Sequence, residues 1–565
     1  MLRPYWWIAA AALLSASCSA PKKMLPDFDA LTQDFVYGSL ALSPVSATAA
    51  GYHENYGEHL DEMLDDYGPA GIAADQTFIA SFEQRVAELD PSTLNQEQRA
   101  DLEIITNNLG LSHLELDTIQ SYKHNPTVYV ELIGNALFSP YVLNYAPAEK
   151  RFDQISKRIE KVPTLLDQAK ANLVDAPEVW NRVAREENRG NIELIDKTLR
   201  AAVPKSVKTE YDKAADTALP ALRDFNTYLE KDLSKKTSDW RLGKDKYDRK
   251  FAYTLATGKT PEQLLAQAET QLQTVRAKMQ KLAAPQTVEQ ALAEVARHHP
   301  TPETYIAYAK KTLEQATAFV KQKDLVDLLP GDNLKVIETP EFMRGIYGVG
   351  GFDPAPALEP QLGAFYWITP IPKDWPKDRI ESKLREYNDY GIQELTIHEA
   401  MPGHSVQFAY ANAVQPNSRR LLRAVFANGP YVEGYAVYAQ QMMSDEGYLD
   451  NSKDLWLTFY KQILRVLANT ILDIRLQTMG MTDQQALDLM INQTYQEKEE
   501  ATAKLQRAQL SSCQLPTYFA GWTGWLEARD NYKKRKGSAY SLREFNDAAL
   551  KESAVSIPML DKLLQ

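Results

Sequence analysis

The residues best suited to chemistry lie between Glu394 and Gln407, ELTIHEAMPGHSVQ, where His398 and Glu399 are followed by His404. A neutral imidazole is a good zinc ligand, and a carboxylate beside it can act as general base toward a water molecule. In an unbroken helix, ligands four residues apart share one face, about 40° out of register, whereas a spacing of six turns them about 240° apart. Position four after His398 is Pro402, which binds no metal. The two imidazoles therefore meet at one ion only across a break in the helix. Pro402-Gly403 supplies that break: proline removes a helical hydrogen bond and clashes with the preceding turn, and glycine tolerates unusual dihedrals.

A catalytic zinc usually holds three protein ligands and one open position. The eight histidines stand at 53, 59, 113, 124, 298, 299, 398 and 404, so none follows His404. A ligand from the next helix must then be a carboxylate. Glu433 qualifies, because it opens an amphipathic helix just after the Asn428-Gly429-Pro430 turn, which allows a return past the first helix. The expected centre is Zn2+ held by His398, His404 and Glu433, with Glu399 as base. His298-His299 is read as a surface turn, since adjacent residues point apart on a helix. Glu497, Glu499 and Glu500 are read as a solvated face.

The elements that must position these residues are mostly helical. Arg151 to Leu173 repeats apolar residues at steps of three and four, and Asn188 to Val203 and Thr209 to Leu229 do the same. Thr260-Pro261-Glu262 and Thr301-Pro302-Glu303 each read as a helix start. Lys231 to Lys246 is polar and marks a boundary between an N-terminal helical lobe (residues 26–240) and a C-terminal catalytic lobe (residues 241–565). Between Glu338 and Pro372 the texture changes. Gly345, Gly348, Gly350 and Gly351 crowd together, and Leu362 to Thr369, LGAFYWIT, reads as a strand. Such a strand either offers its edge to an extended peptide or lies buried in a small sheet.

With 565 residues, 44% of them hydrophobic, the chain has ample material for a large core. Its formal charge of -12 disfavours nucleic acid as a partner, because like charges repel a phosphate backbone. Arg3, the apolar run from Tyr5 to Leu14 and the small residues Ser15, Ala16 and Ser17 read as a signal peptide over residues 1–17. Cys18 then looks like the lipidated first residue of a bacterial lipoprotein, although Ser15 stands where such sites prefer leucine. Residues 18–25 would link this membrane anchor to the folded protein, and Ser19 resembles lipoproteins sent to the outer membrane. The only other cysteine is Cys513, so a lipidated Cys18 leaves no intramolecular disulfide.

His398-Glu399-Ala400-Met401-Pro402-Gly403-His404-Ser405-Val406-Gln407 resembles the HEAxPGHxxQ motif of the family catalogued as domain of unknown function 885. Glu433 to Gln440 resembles its EGWALYAE, with Tyr435 in place of Trp and Gln440 in place of the final Glu. Ser43 to Leu64, Asn125-Pro126 with Tyr129, and Arg507 with Ser512 to Gly521 resemble further family segments. Phe545-Asn546-Asp547 departs from the family's Phe-His-Asp. Members look like gluzincin-type metallopeptidases. The resemblance implies a mainly α, two-lobed helical fold, with a deep cleft and a small β-sheet next to the active-site helices.

The expected activity is zinc-assisted hydrolysis of a peptide substrate, with Glu399 moving a proton from water to the leaving amine. Tyr518 is the candidate donor to the developing oxyanion, and Arg507 the candidate partner of a substrate carboxylate. Two rival readings stay open: an exported lipoprotein that binds peptides without catalysis, and a metal-dependent hydrolase of an ester or non-peptide amide.

Overall fold

A computed structural model describes residues 27–330, 334–339, 344 and 348–565. The expected leader, Cys18 and Gly345 lie outside these residues. The chain is mainly α-helical with a small sheet.

Apolar periodicity gave rise to the helices where it was strongest. The helix Ala148–Asn172 buries Ile155, Ile159, Val162 and Leu166 along one stripe. Thr260 caps the helix Pro261–Ala283: its hydroxyl accepts from the Gln263 N–H at 3.3 Å, and the Gln263 side chain accepts from the Thr260 N–H at 2.9 Å. Thr301 does not repeat this. The Thr304 hydroxyl accepts from the Thr301 N–H at 2.9 Å and closes a turn, so the helix starts only at Tyr305.

The apolar interior is divided differently from chain order. Residues between Phe28 and Leu109 share one core with residues from Tyr247 to Leu564. The helices between Tyr129 and Leu233 enclose a core of their own. The N-terminal helices thus lie against the elements that carry the candidate ligands.

Three strands form the small sheet: β1 (Lys335–Glu338), β2 (Gly350–Asp353) and β3 (Phe365–Ile368). β3 lies in the middle, parallel to β1 and antiparallel to β2. The aromatic strand is therefore buried, with both edges paired, and cannot offer an edge to a peptide. β2 is an edge strand. The Thr369 N–H bonds the Val349 carbonyl at 2.9 Å, and the register pairs Gly351 with Trp367. Antiparallel alternation then turns the main chain of Gly350 and Phe352 outward from the sheet.

One member of the expected solvated cluster proves to be interior, while Glu499 is exposed as expected. Glu500 is buried and ion-paired with Arg465 and, at 3.9 Å, with Lys383. Glu497 meets Arg385 at 3.1 Å and Glu499 meets Arg379 at 3.2 Å. Each of the three carboxylates has a cation from another helix, which is why the cluster is not merely solvated.

Candidate metal centre

The helix Asp389–Glu399 begins at Asn388, whose side chain accepts from the N–H groups of Tyr390 and Gly391 at 3.0 and 3.1 Å. It stops at Glu399, and after four intervening residues a new helix, His404–Ala413, begins. The Ala400 and Met401 N–H groups both bond the Thr396 carbonyl, at 2.9 and 3.0 Å, and the Gly403 N–H reaches the Ile397 carbonyl at 2.9 Å. The break lies where Pro402-Gly403 predicts it. Gly403 serves it chiefly through lack of bulk: its φ is an ordinary -67°, but a Cβ there would lie 1.9 Å from the His398 carbonyl oxygen.

The third candidate ligand comes from the helix Gly429–Asp445, started by Asn428, whose side chain accepts from the Tyr431 N–H at 3.2 Å. This helix packs on Thr517–Lys536 glycine to glycine. A Cβ on Gly434 would lie 2.4 Å from the Gly521 Cα, and one on Gly521 would lie 1.9 Å from the Pro430 carbonyl oxygen. Glu433 and Tyr518 flank this crossing, so the close approach brings them to the same place.

Three donors converge. Glu433 Oε2 lies 3.4 Å from His398 Nε2 and 3.5 Å from His404 Nε2, and the candidate ligand atoms all fall within 4.8 Å of one another. Zinc bonds of about 2.0–2.1 Å in a tetrahedron place ligand atoms roughly 3.3–3.5 Å apart. Glu433 Oε2 is buried without a hydrogen-bond partner among the described residues, as is His404 Nδ1. Burial pushes the Glu433 carboxyl up, but the two imidazoles outweigh it and hold it well below the usual carboxylate range. Two nitrogens aimed at one orphaned anionic oxygen, at ligand-edge spacing, fit a zinc ion.

Glu399 stands beside this cluster. Burial, with a smaller contribution from the Glu433 charge, raises its carboxyl to about 7, while His398 and the Phe352 N–H pull the other way. The Phe352 N–H is one of the outward groups of β2, and its ring lies 6.2 Å from that of His404. On the other side, the Tyr518 ring stacks on His398 with centroids 6.1 Å apart. Burial keeps its phenol above the ordinary value, hence protonated and able to donate. The Gln514 amide links the two, 3.3 Å from the Tyr518 hydroxyl and 3.5 Å from Glu433 Oε1.

Of the sequence candidates, the fold brings His398, Glu399, His404, Glu433 and Tyr518 together. Arg507 is exposed, close enough to act electrostatically on Tyr518 and Glu131. The contributions of Phe352, Gln514 and the Gly434–Gly521 contact had no signal that spacing alone could supply. Gln514 was visible only as a matching position without a role.

The sequence matches the family described as "Bacterial protein of unknown function (DUF885)" over residues 44–564. The chain belongs to the DUF885 family. Among solved structures it is similar to a Shewanella oneidensis protein described as "a putative lipoprotein of unknown function", with 27% identity, a TM-score of 0.78, and 95% of this chain and 99% of that one covered. A "putative lipoprotein" from Colwellia psychrerythraea shares the fold, with a TM-score of 0.77 at 16% identity, over 95% of this chain and 98% of that one. No curated protein matches.

The departures from the DUF885 motifs noted above have local explanations. Gln440 donates to the Glu394 main-chain carbonyl at 3.1 Å. The Glu394 carboxyl is fully buried, and burial pushes its pKa well above the ordinary range. A second carboxylate at position 440 would add a like charge to that place. Asn546 is likewise buried, accepting from the Tyr438 hydroxyl at 2.9 Å and donating to the Leu325 carbonyl at 2.7 Å. Tyr435 packs against Trp525 with ring centroids 5.0 Å apart.

Proposed function

We propose that this DUF885 protein is a zinc-dependent peptidase of gluzincin type, exported and held at the cell envelope by a lipid on Cys18. The observation that carries the reading is the convergence of His398 and His404 on one buried, unpartnered carboxylate oxygen of Glu433. Zinc bound there would supply Lewis acidity, polarising a substrate carbonyl and making water easier to deprotonate. Glu399 is the base. Buried beside the cluster, its carboxyl can take a proton from water and return it to the leaving amine. Tyr518 keeps its proton and donates a hydrogen bond to the oxygen that gains charge. The outward main chain of β2 beside Glu399 supports an extended peptide as substrate, since such a chain can pair along a strand edge. The leader-like sequence before Cys18 supports export, as does the description of the solved relatives as lipoproteins.

The roles found for Gln440 and Asn546 weaken the rival reading of a non-catalytic binding protein, because neither substitution removes a group from the donor cluster. The deciding experiment is Glu399→Gln on zinc-loaded protein. Metal stoichiometry should persist while peptide hydrolysis falls by about 10²–10⁴-fold, the usual contribution of a general base. Undiminished hydrolysis in that variant would refute the assignment.

A further inference from the structure

Glu433 also borders a cavity of about 390 Å³ that the proposed chemistry leaves unused. The helix Gln96–His113 forms part of its wall and contributes Glu103, Ile104, Asn107, Asn108 and Leu111. These positions recur at three- and four-residue steps, so one face of that helix lines the space. Tyr253 closes a side and packs tightly on the same helix, since a Cβ on Gly110 would lie 2.5 Å from its ring. Phe408, Phe426 and Val432 make the remainder largely apolar.

The charge of this lining is one-sided. It includes no lysine, arginine or histidine, and its only ionisable acids are Glu433 and Glu103. Glu433 faces the two imidazoles. Glu103 is half-buried and has no hydrogen-bond or ion-pair partner among the described residues, although the neighbouring acids Glu97 and Asp101 both engage Arg419. A carboxylate left without a cation at the edge of an apolar space suits a ligand with an aliphatic stem and a positive head.

We propose that this cavity receives a cationic group of the substrate, an alkylammonium or guanidinium, and that Glu103 sets the preference for it. The inference rests on reading the His398–His404–Glu433 cluster as the reaction centre. It assigns that centre a substrate class: peptides with lysine or arginine next to the cleaved bond.

The test uses the full mature chain loaded with zinc, and Glu103→Gln and Glu103→Lys variants whose thermal melts confirm folding. N-acetylated peptides differing at one position (lysine, arginine, norleucine or glutamate) are compared for hydrolysis. Their binding to the Glu399→Gln protein is measured by calorimetry. The expected result is a preference for the basic peptides over norleucine of at least about tenfold, which is the scale of one charge-assisted hydrogen bond. Glu103→Gln should abolish that preference and Glu103→Lys should turn it toward glutamate. The same peptides with a free amino terminus are compared in parallel; dependence on Glu103 confined to these would identify the group received as the α-ammonium and overturn the lysine/arginine assignment. Equal loss for basic and neutral peptides, or no preference in the unsubstituted protein, overturns the proposal. Binding that depends on Glu103 without any hydrolysis upholds the pocket and refutes the peptidase reading. Hydrolysis indifferent to Glu103 does the reverse.

Discussion

Among the places where histidine meets carboxylate, two are built on opposite principles. At the first, His53 sits between two acids: Nδ1 lies 2.9 Å from Asp61 and Nε2 lies 3.1 Å from Glu359. Asp61 also accepts from Thr48 at 2.7 Å and from Gln154 at 3.0 Å, and the buried Arg158 donates to Thr48 at 2.6 Å. Every contact is of hydrogen-bond length, and one imidazolium satisfies both of its neighbours. At the second, two imidazoles face a single carboxylate oxygen at 3.4 and 3.5 Å, too far apart for good hydrogen bonds and left unpartnered. The first arrangement is complete with protons alone. The second has the donor geometry of the proposed cation site. The ratio of nitrogens to oxygens and a few tenths of an ångström distinguish a structural network from the proposed metal centre.

Removing one acid from each site should have opposite consequences. Glu433→Ala should reduce zinc affinity by more than about a hundredfold, beyond what the loss of an outer partner costs a metal site. Metal analysis after dialysis checks this, with Glu446→Ala as the control that should keep its ion. Asp61→Ala should leave zinc stoichiometry intact but destabilise the fold by about 3 kcal/mol, because it strands buried donors. Urea unfolding of the same preparations would show it. A variant at Asp61 that loses metal, or one at Glu433 that keeps it, would erase the distinction.

A smaller effect is expected at the helix crossing. Gly521→Ala forces a methyl group toward the Pro430 carbonyl and should cost about 1–3 kcal/mol, with a parallel loss of zinc affinity as Glu433 and Tyr518 part. Stability lost without any change in affinity would mean the crossing does not position the ligand. The smallest effect is pH dependence. Burial disfavours the His53 imidazolium, but Asp61 and Glu359 outweigh it and raise the pKa. The resulting stabilisation is fully present below the ordinary histidine value of about 6.5 and is lost as pH rises through the higher folded value. Urea midpoints between mildly acidic and mildly alkaline pH should show that decline, and His53→Gln should flatten it.

The donor cluster was legible for particular reasons. His398, Pro402, Gly403 and His404 make sense together only if the helix breaks, so the sequence states its own geometry there. Glu433 followed because no histidine remained to serve. Other features depend on partners that no local pattern names. Phe352 reaches Glu399 because of strand register, and Glu500 is buried because Arg465 and Lys383 arrive from other helices. Four aromatic and aliphatic residues in a row read the same in a central strand as in an edge strand, so β3 could not be placed from composition. The helices were read most reliably where a long apolar stripe left one solution, as in Ala148–Asn172. They were misjudged at ends such as Thr301, where a hydroxyl chose a turn over a cap.

The glycine contact between Gly429–Asp445 and Thr517–Lys536 has a mechanical consequence. From that crossing the two helices stay in contact, through Trp525 on Tyr435 and Tyr438 and the Trp522–Gln441 hydrogen bond, to Arg529 and Asp445. Glu433 is the immediate neighbour of Gly434, and Tyr518 lies one turn before Gly521. Both groups therefore ride on one clamped pair of helices. A displacement of either helix carries the donor oxygen and the phenol together, so their mutual spacing is preserved.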